Sequence, residues 1–104
     1  MSKLPKNFLA RMKLPIHYDT SSRAKRCEAR YEYVRVQNGL CYYCKKSLKR
    51  KPPNSVTMKK ITLRIYPPNF FKYPVHLHHC HRTGMTLGAV HAYCNAVLYE
   101  YEGE

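Results

Sequence analysis

The sequence predicts a small α+β domain, and three observations carry that prediction. Cys41-x-x-Cys44 near mid-chain is answered by His91-x-x-Cys94 near the end, four soft side chains at the spacing of a closed zinc site. Two segments, Tyr73–His79 and Thr86–Val90, have the length and composition of short strands around an Arg82-Thr83-Gly84 turn. Helical patterns bracket this hairpin, one over about 20–37 and one from His91 or Ala92 to about Tyr101. At 104 residues the chain is one domain with a modest core, so a metal staple adds much to its stability.

Residues 1–18 hold Lys3, Lys6, Arg11 and Lys13 around Pro5 and Pro15 and are expected to form an extended basic arm before a zinc-stabilised domain over 19–104. Asp19-Thr20-Ser21-Ser22 offers several N-caps for the first helix. Ala24, Cys27, Tyr31 and Val34 fall three or four apart on one helical face, with Cys27 a small buried hydrophobe there, and Gly39 suits the C′ position. Leu40-Cys-Tyr-Tyr-Cys-Lys-Lys is a tight knuckle turn, and a basic, Pro-containing loop comes after it over 45–60. Ile61-Thr-Leu-Arg-Ile-Tyr66 alternates like a strand, and Pro67-Pro68 ends it. In the strand at 73–79, alternation places Val75, Leu77 and His79 on one face and His76 and His78 on the other. The last helix offers Val97, Leu98 and Tyr101 to the core.

Nineteen Lys and Arg against six Asp and Glu give a formal net charge of +13. All the basic residues lie within 1–82, where Asp19, Glu28 and Glu32 are the acids. A polyanion partner is expected, DNA or RNA being the commonest, although a ribosomal-type basic protein has the same balance. Lys45, Lys46, Lys49, Arg50 and Lys51 are the densest run and could track DNA phosphates, and Arg82 could hold another. No apolar run approaches the ~20 residues that span a bilayer, and Met1-Ser-Lys-Leu-Pro-Lys has no apolar signal region, so no membrane partner is expected. An odd count of five cysteines, two in a C-x-x-C pair, favours metal over disulfides. The expected compartment is therefore intracellular and reducing, cytoplasm or nucleus. Ten tyrosines stand with no tryptophan, and Tyr31, Tyr42, Tyr66 and Tyr93 are expected to pack around the metal and helices.

The zinc ligands are read as Cys41, Cys44, His91 and Cys94, with replacement of His91 by Cys80 or His76 as the alternative. Between the two pairs lies His76-Leu-His78-His79-Cys80-His81, too dense in imidazole for an ordinary core strand. A second zinc or a surface histidine cluster would explain it. A sharper reading uses Asn95, one residue past a zinc ligand. If strand, turn and helix make a ββα finger, one imidazole and the Asn95 amide oxygen bind a divalent cation while a second imidazole acts as general base.

Gln37-Asn-Gly-Leu-Cys41-Tyr-Tyr-Cys44, Leu77-His-His-Cys-His-Arg-Thr-Gly84 and Gly88-Ala-Val-His-Ala-Tyr-Cys94-Asn95 together resemble the HNH, ββα-metal or His-Me finger, nucleases. The similarity is nearest to the recombination endonuclease VII subgroup and spans about 37–96. It implies His79 as the histidine that activates water, His78 and Asn95 as ligands of the catalytic ion, His81 near the scissile phosphate, and Cys41, Cys44 and Cys94 as zinc cysteines. His91 stands where the subgroup has cysteine, His78 where it has a metal-binding Asp, and Leu98 where it tends to carry Glu. Loss of oxygen ligands weakens the case for Mg²⁺ and favours Mn²⁺, Co²⁺, Ni²⁺ or Zn²⁺. The resemblance implies hydrolysis of DNA phosphodiesters to 5′-phosphate and 3′-hydroxyl ends, by nicking or by cutting branched DNA such as a Holliday junction. Junction cutting in that subgroup depends on a homodimer, and such proteins are common in phages and mobile elements. The rival expectation is a zinc-stabilised nucleic-acid-binding module without catalysis, favoured by His78 and Leu98.

Overall fold

The computed structural model describes residues 12–103 as a small α+β unit built on one antiparallel hairpin. Helix α1 spans Arg23–Val36, the single-turn helix α2 Asn54–Thr57, strand β1 Val75–His79, strand β2 Thr86–His91 and helix α3 Ala92–Glu102. A 3₁₀ turn over Leu63–Ile65 lies between α2 and β1. The two strands form the sheet, and α1 and α3 both pack on it. Their shared core holds Ala29 and Tyr33 from α1, Leu77, Ala89 and Val90 from the strands, and Val97 and Leu98 from α3. No helix among the described residues is long and apolar enough to cross a membrane.

Ser22 is the N-cap of α1, its hydroxyl accepting from the Lys25 N–H at 3.1 Å. At the other end Asn38, not Gly39, occupies C′, with φ 56°. Asn38 N–H donates to Arg35 O and Gly39 N–H to Val34 O, so both residues turn left-handed to satisfy the last carbonyls in a Schellman pattern. The buried stripe of α1 also differs from expectation. It runs through Ala29, Glu32 and Tyr33, while Ala24 is exposed and Cys27 half-buried. Tyr33 decides the rotation, because its hydroxyl meets Thr86 Oγ1 at 2.9 Å within the core. Glu32 tolerates burial because Arg35 closes on its carboxylate with two bonds, at 2.8 and 2.7 Å, and that guanidinium holds its pKa down.

Residues 61–66 are not a strand. The sheet stays two-stranded, and the segment bonds to α3 instead of a sheet edge. Glu100 accepts from the Thr62 N–H and hydroxyl and from the Tyr66 hydroxyl, which pulls 62–66 into a tight turn. The Tyr66 hydrogen bond holds the Glu100 carboxyl below its usual range. Leu63 and Ile65, expected to alternate into a sheet, are exposed. Tyr101 is likewise half-exposed rather than core, its hydroxyl reaching Lys60 O at 2.6 Å.

Of the arm expected over 1–18, residues 1–11 lie outside the described residues. Residues 12–18 run against the start of β2. The Thr86 N–H donates to Ile16 O and the Ile16 N–H to Thr86 Oγ1, Ile16 is buried, His17 bridges Met85, and the Tyr18 N–H donates to Gly84 O. Gly84 makes this docking feasible, since its φ of 78° is left-handed and a Cβ there would strike the His17 ring. Gly84→Ala is therefore expected to lower stability by more than about 1 kcal/mol, read as a fall in the urea midpoint at unchanged slope.

Candidate metal centre and histidine cleft

The hairpin, the knuckle and α3 converge on four side chains. Cys41 and Cys44 come from the knuckle after α1, His91 ends β2 and is the N-cap of α3, and Cys94 lies in the first turn of α3. Their ligand atoms all lie within 4.8 Å of one another, so the group could hold a zinc ion. The arrangement selects His91 over Cys80 and His76. His91 Nδ1 stands 3.5 Å from both Cys44 Sγ and Cys94 Sγ. Its Nε2 lies 2.9 Å from the carbonyls of Ser47 and Arg50, which can only accept, so Nε2 carries the proton and Nδ1 keeps its lone pair toward the sulfurs. Tyr43 and Cys44 N–H groups point at Cys41 Sγ. The Cys94 thiol and then these backbone donors hold the Cys41 pKa below the ordinary cysteine value, while the same contact and burial raise Cys94.

Gln37 ties the knuckle to the sheet. Its amide donates to Leu40 O and Ala89 O, and its Oε1 accepts from the Ala89 N–H at 2.9 Å. The Tyr42 N–H reaches Ala89 O. Gly88 lets these groups lie flat on β2, because a Cβ there would meet Gln37 Oε1 and Tyr42 Cγ at 2.8 Å. The sequence reveals Gln37 only as part of a motif, since its sheet partners lie some fifty residues away.

Directly across the hairpin, a second group of side chains is wired through defined donors. His76 Nε2 is 2.7 Å from Phe70 O, which fixes the proton on Nε2 and leaves Nδ1 as acceptor. Asn95 Nδ2 donates to that Nδ1 at 3.2 Å, so the amide can have only one orientation. Asn95 Oδ1 is thereby aimed at His78 Nδ1, 3.1 Å away. His78 is buried, with its ring 6.2 Å from that of Tyr42. The amide oxygen can only accept, so His78 Nδ1 donates to it here; once that proton is released, the nitrogen and the oxygen are a pair that one divalent cation could share, and no carboxylate stands with them among the residues lining the cleft.

His79 lines the same cleft, as do Val75 and Leu77, which alternation puts on its own face of the strand. The pairing register shifts between His78 and His79, with Leu87 the extra residue on β2. His76, His78, His79, His81 and Asn95 all line one cleft of about 790 Å³. The His79 ring stacks on Tyr18 at 4.0 Å and 13°, and meets His81 edge-on at 4.8 Å. His81 in turn abuts Tyr99. Burial, and next the neighbouring His81, keep the His79 pKa below the ordinary histidine value. Burial does the same for His76.

Lys45, Lys46, Lys49, Arg50, Lys51 and Arg82, the basic residues singled out in the sequence, do not line this cleft. Lys45 instead donates to Tyr42 O at 2.7 Å. Arg23, Arg26 and Arg30 of α1 do line it, and the spacing of apolar residues along the helix carries no sign of them. Tyr18 was equally hidden, lying in the expected arm. Tyr66 and Tyr93 pack as expected, on Glu100 and on the Thr57 and Lys59 carbonyls. No protein-family model, curated protein or solved structure matches this chain.

Proposed function

We propose that this chain is a metal-dependent DNA endonuclease of the ββα-metal type, hydrolysing phosphodiester bonds with His79 as general base. The observation that carries the reading is the meeting of His78 Nδ1 and Asn95 Oδ1 at 3.1 Å in the cleft that also holds His79. The two strands and α3 that present them succeed one another in the order of a ββα finger. The zinc-competent group at the root of that finger would hold Asn95, one residue beyond Cys94, against the strand.

Each residue then has a task. His78 and Asn95 would hold the catalytic ion, and His76 keeps the Asn95 oxygen turned toward it. When bound, such an ion supplies positive charge to the developing phosphorane and the leaving 3′ oxygen. His79 takes the proton of the attacking water, a role suited to an imidazole kept neutral near pH 7. His81, edge-on to His79, stands where it can donate to a phosphate oxygen. The donor pair, one imidazole and one amide without a carboxylate, favours Mn²⁺, Co²⁺, Ni²⁺ or Zn²⁺ over Mg²⁺.

The test is incubation of zinc-loaded protein with supercoiled plasmid and with branched DNA across these ions. Ion-dependent cutting, stronger with Mn²⁺ or Co²⁺ than with Mg²⁺, is the expected result. Salt-sensitive binding with no cutting under any ion would replace the reading with a zinc-built nucleic-acid-binding module, for which the missing carboxylates are the favouring observation.

A further inference from the structure

The cleft has a composition that selects its occupant. One wall is α1, where Arg23, Arg26 and Arg30 succeed one another at helical spacing, and the lining residues include no Asp or Glu. Among the described residues none of the three arginines is in ion-pair contact with a carboxylate, the pair on this helix being Arg35 with Glu32. Two of them are nevertheless held in place. Arg26 donates to Tyr18 O at 3.1 Å and lies over the Tyr18 ring, 4.8 Å from its centroid. Arg30 donates to Cys27 Sγ. The guanidiniums are thus positioned without being neutralised, which is the condition for binding an anion. Their repulsion is felt by the imidazoles opposite, Arg30 by His76 and Arg26 by His79.

Elsewhere the cleft lining is of another character. Ile65 and Tyr73, both lining the cleft, are 50% and 57% exposed, and Tyr99 beside His81 is 50% exposed. These are large side chains open to solvent in a cleft that the arginines also line, with Lys72 Nζ 5.8 Å from the Tyr73 ring centroid. Along the helix axis the span from Arg23 to Arg30 is about 10 Å at roughly 1.5 Å per residue. The exposed rings can stack only on bases whose faces are free, which an intact duplex does not offer.

We infer that this cleft binds an unpaired DNA strand, with its phosphates along Arg23, Arg26 and Arg30 and its bases against Tyr73 and Tyr99. The inference rests on the proposed function for the chemistry after binding, and it names the substrate that function would act on, DNA that is single-stranded or splayed at a branch. Binding and cutting are separable, so it can be tested with no catalytic ion added.

The experiment is fluorescence anisotropy of the zinc-loaded full chain with a labelled oligothymidylate of about twelve nucleotides, within the site sizes of single-strand binders. A hairpin duplex of equal nucleotide count is titrated beside it, both across about 50–200 mM salt. The single strand is expected to bind more tightly. Arg23→Gln and Arg30→Gln together should reduce the slope of log affinity against log salt by about 0.7 per arginine. Tyr73→Ala should weaken single-strand binding about tenfold with the slope unchanged. If Arg30→Gln fails to fold, exposed Arg23→Gln alone reads the slope. Duplex bound as tightly as single strand, or a slope indifferent to the arginines, overturns the inference even where plasmid cutting succeeds. Single-strand binding by this cleft without cutting under any ion would uphold it and remove the nuclease.

Discussion

A strong chelator is expected to abolish the cooperative melt of this domain. The four ligand side chains are not a surface appendage. Cys41 and Cys94 are 1% and 0% exposed and belong to the same buried cluster as Ala29, Leu77, Val90 and Val97. Structural zinc contributes roughly 10–16 kcal/mol in peptide models, against a net stability of about 5–15 kcal/mol for ordinary domains. Without the ion, the knuckle, the end of β2 and the first turn of α3 would be joined by weak thiol contacts. What is left, a two-stranded hairpin between two helices, is marginal for a chain of this length. Far-UV circular dichroism during heating, with and without chelator, reads the outcome, and zinc added back should restore the melt. A transition of unchanged midpoint and steepness in chelator would show that the apolar core suffices.

The local parts of this architecture were legible and the non-local parts were not. Ser22 as N-cap, the strands near 75–79 and 86–91 and the last helix each depend on a few neighbouring residues, and each was readable. So was the group of metal ligands, since two x-x spacings are themselves local. The rotation of α1 depends on Tyr33 finding Thr86, and the turn at 62–66 on Glu100 arriving from α3. Alternation at Ile61–Tyr66 describes what a strand would bury, but it cannot supply the partner edge. In the cleft, His78 and Asn95 were readable as a pair, while the device that orients the amide was not. That device needs Phe70 O to set the His76 tautomer, a contact that no spacing rule encodes. The bulge at Leu87 is invisible for the same reason, because it lies in the pairing of two strands.

His79→Ala is expected to remove cutting while leaving the fold and its zinc in place. His79 lies outside the Cys41, Cys44, His91 and Cys94 group and is only half-buried, so its truncation sacrifices a stacking contact with Tyr18 and little of the core. Loss of a positioned general base costs about 10²–10⁴-fold in rate. Plasmid nicking should fall by that factor, with zinc content and melting midpoint nearly unchanged. The pH profile of the unaltered protein gives a second reading of the same group. A base must be unprotonated to accept a proton, so kcat/KM rises with pH through the pKa of the free enzyme's base. Burial first, and then the neighbouring His81, favour the neutral imidazole of His79, although Asp19 pulls the other way. The ascending limb should therefore lie below the ordinary histidine value of 6.5, with activity already near its plateau at neutral pH. In His79→Ala that limb should vanish along with most of the rate. Full activity in the variant would exclude His79 as the base. A limb above the ordinary value would mean that the group controlling the rate is charged at rest, contrary to the desolvated setting of His79.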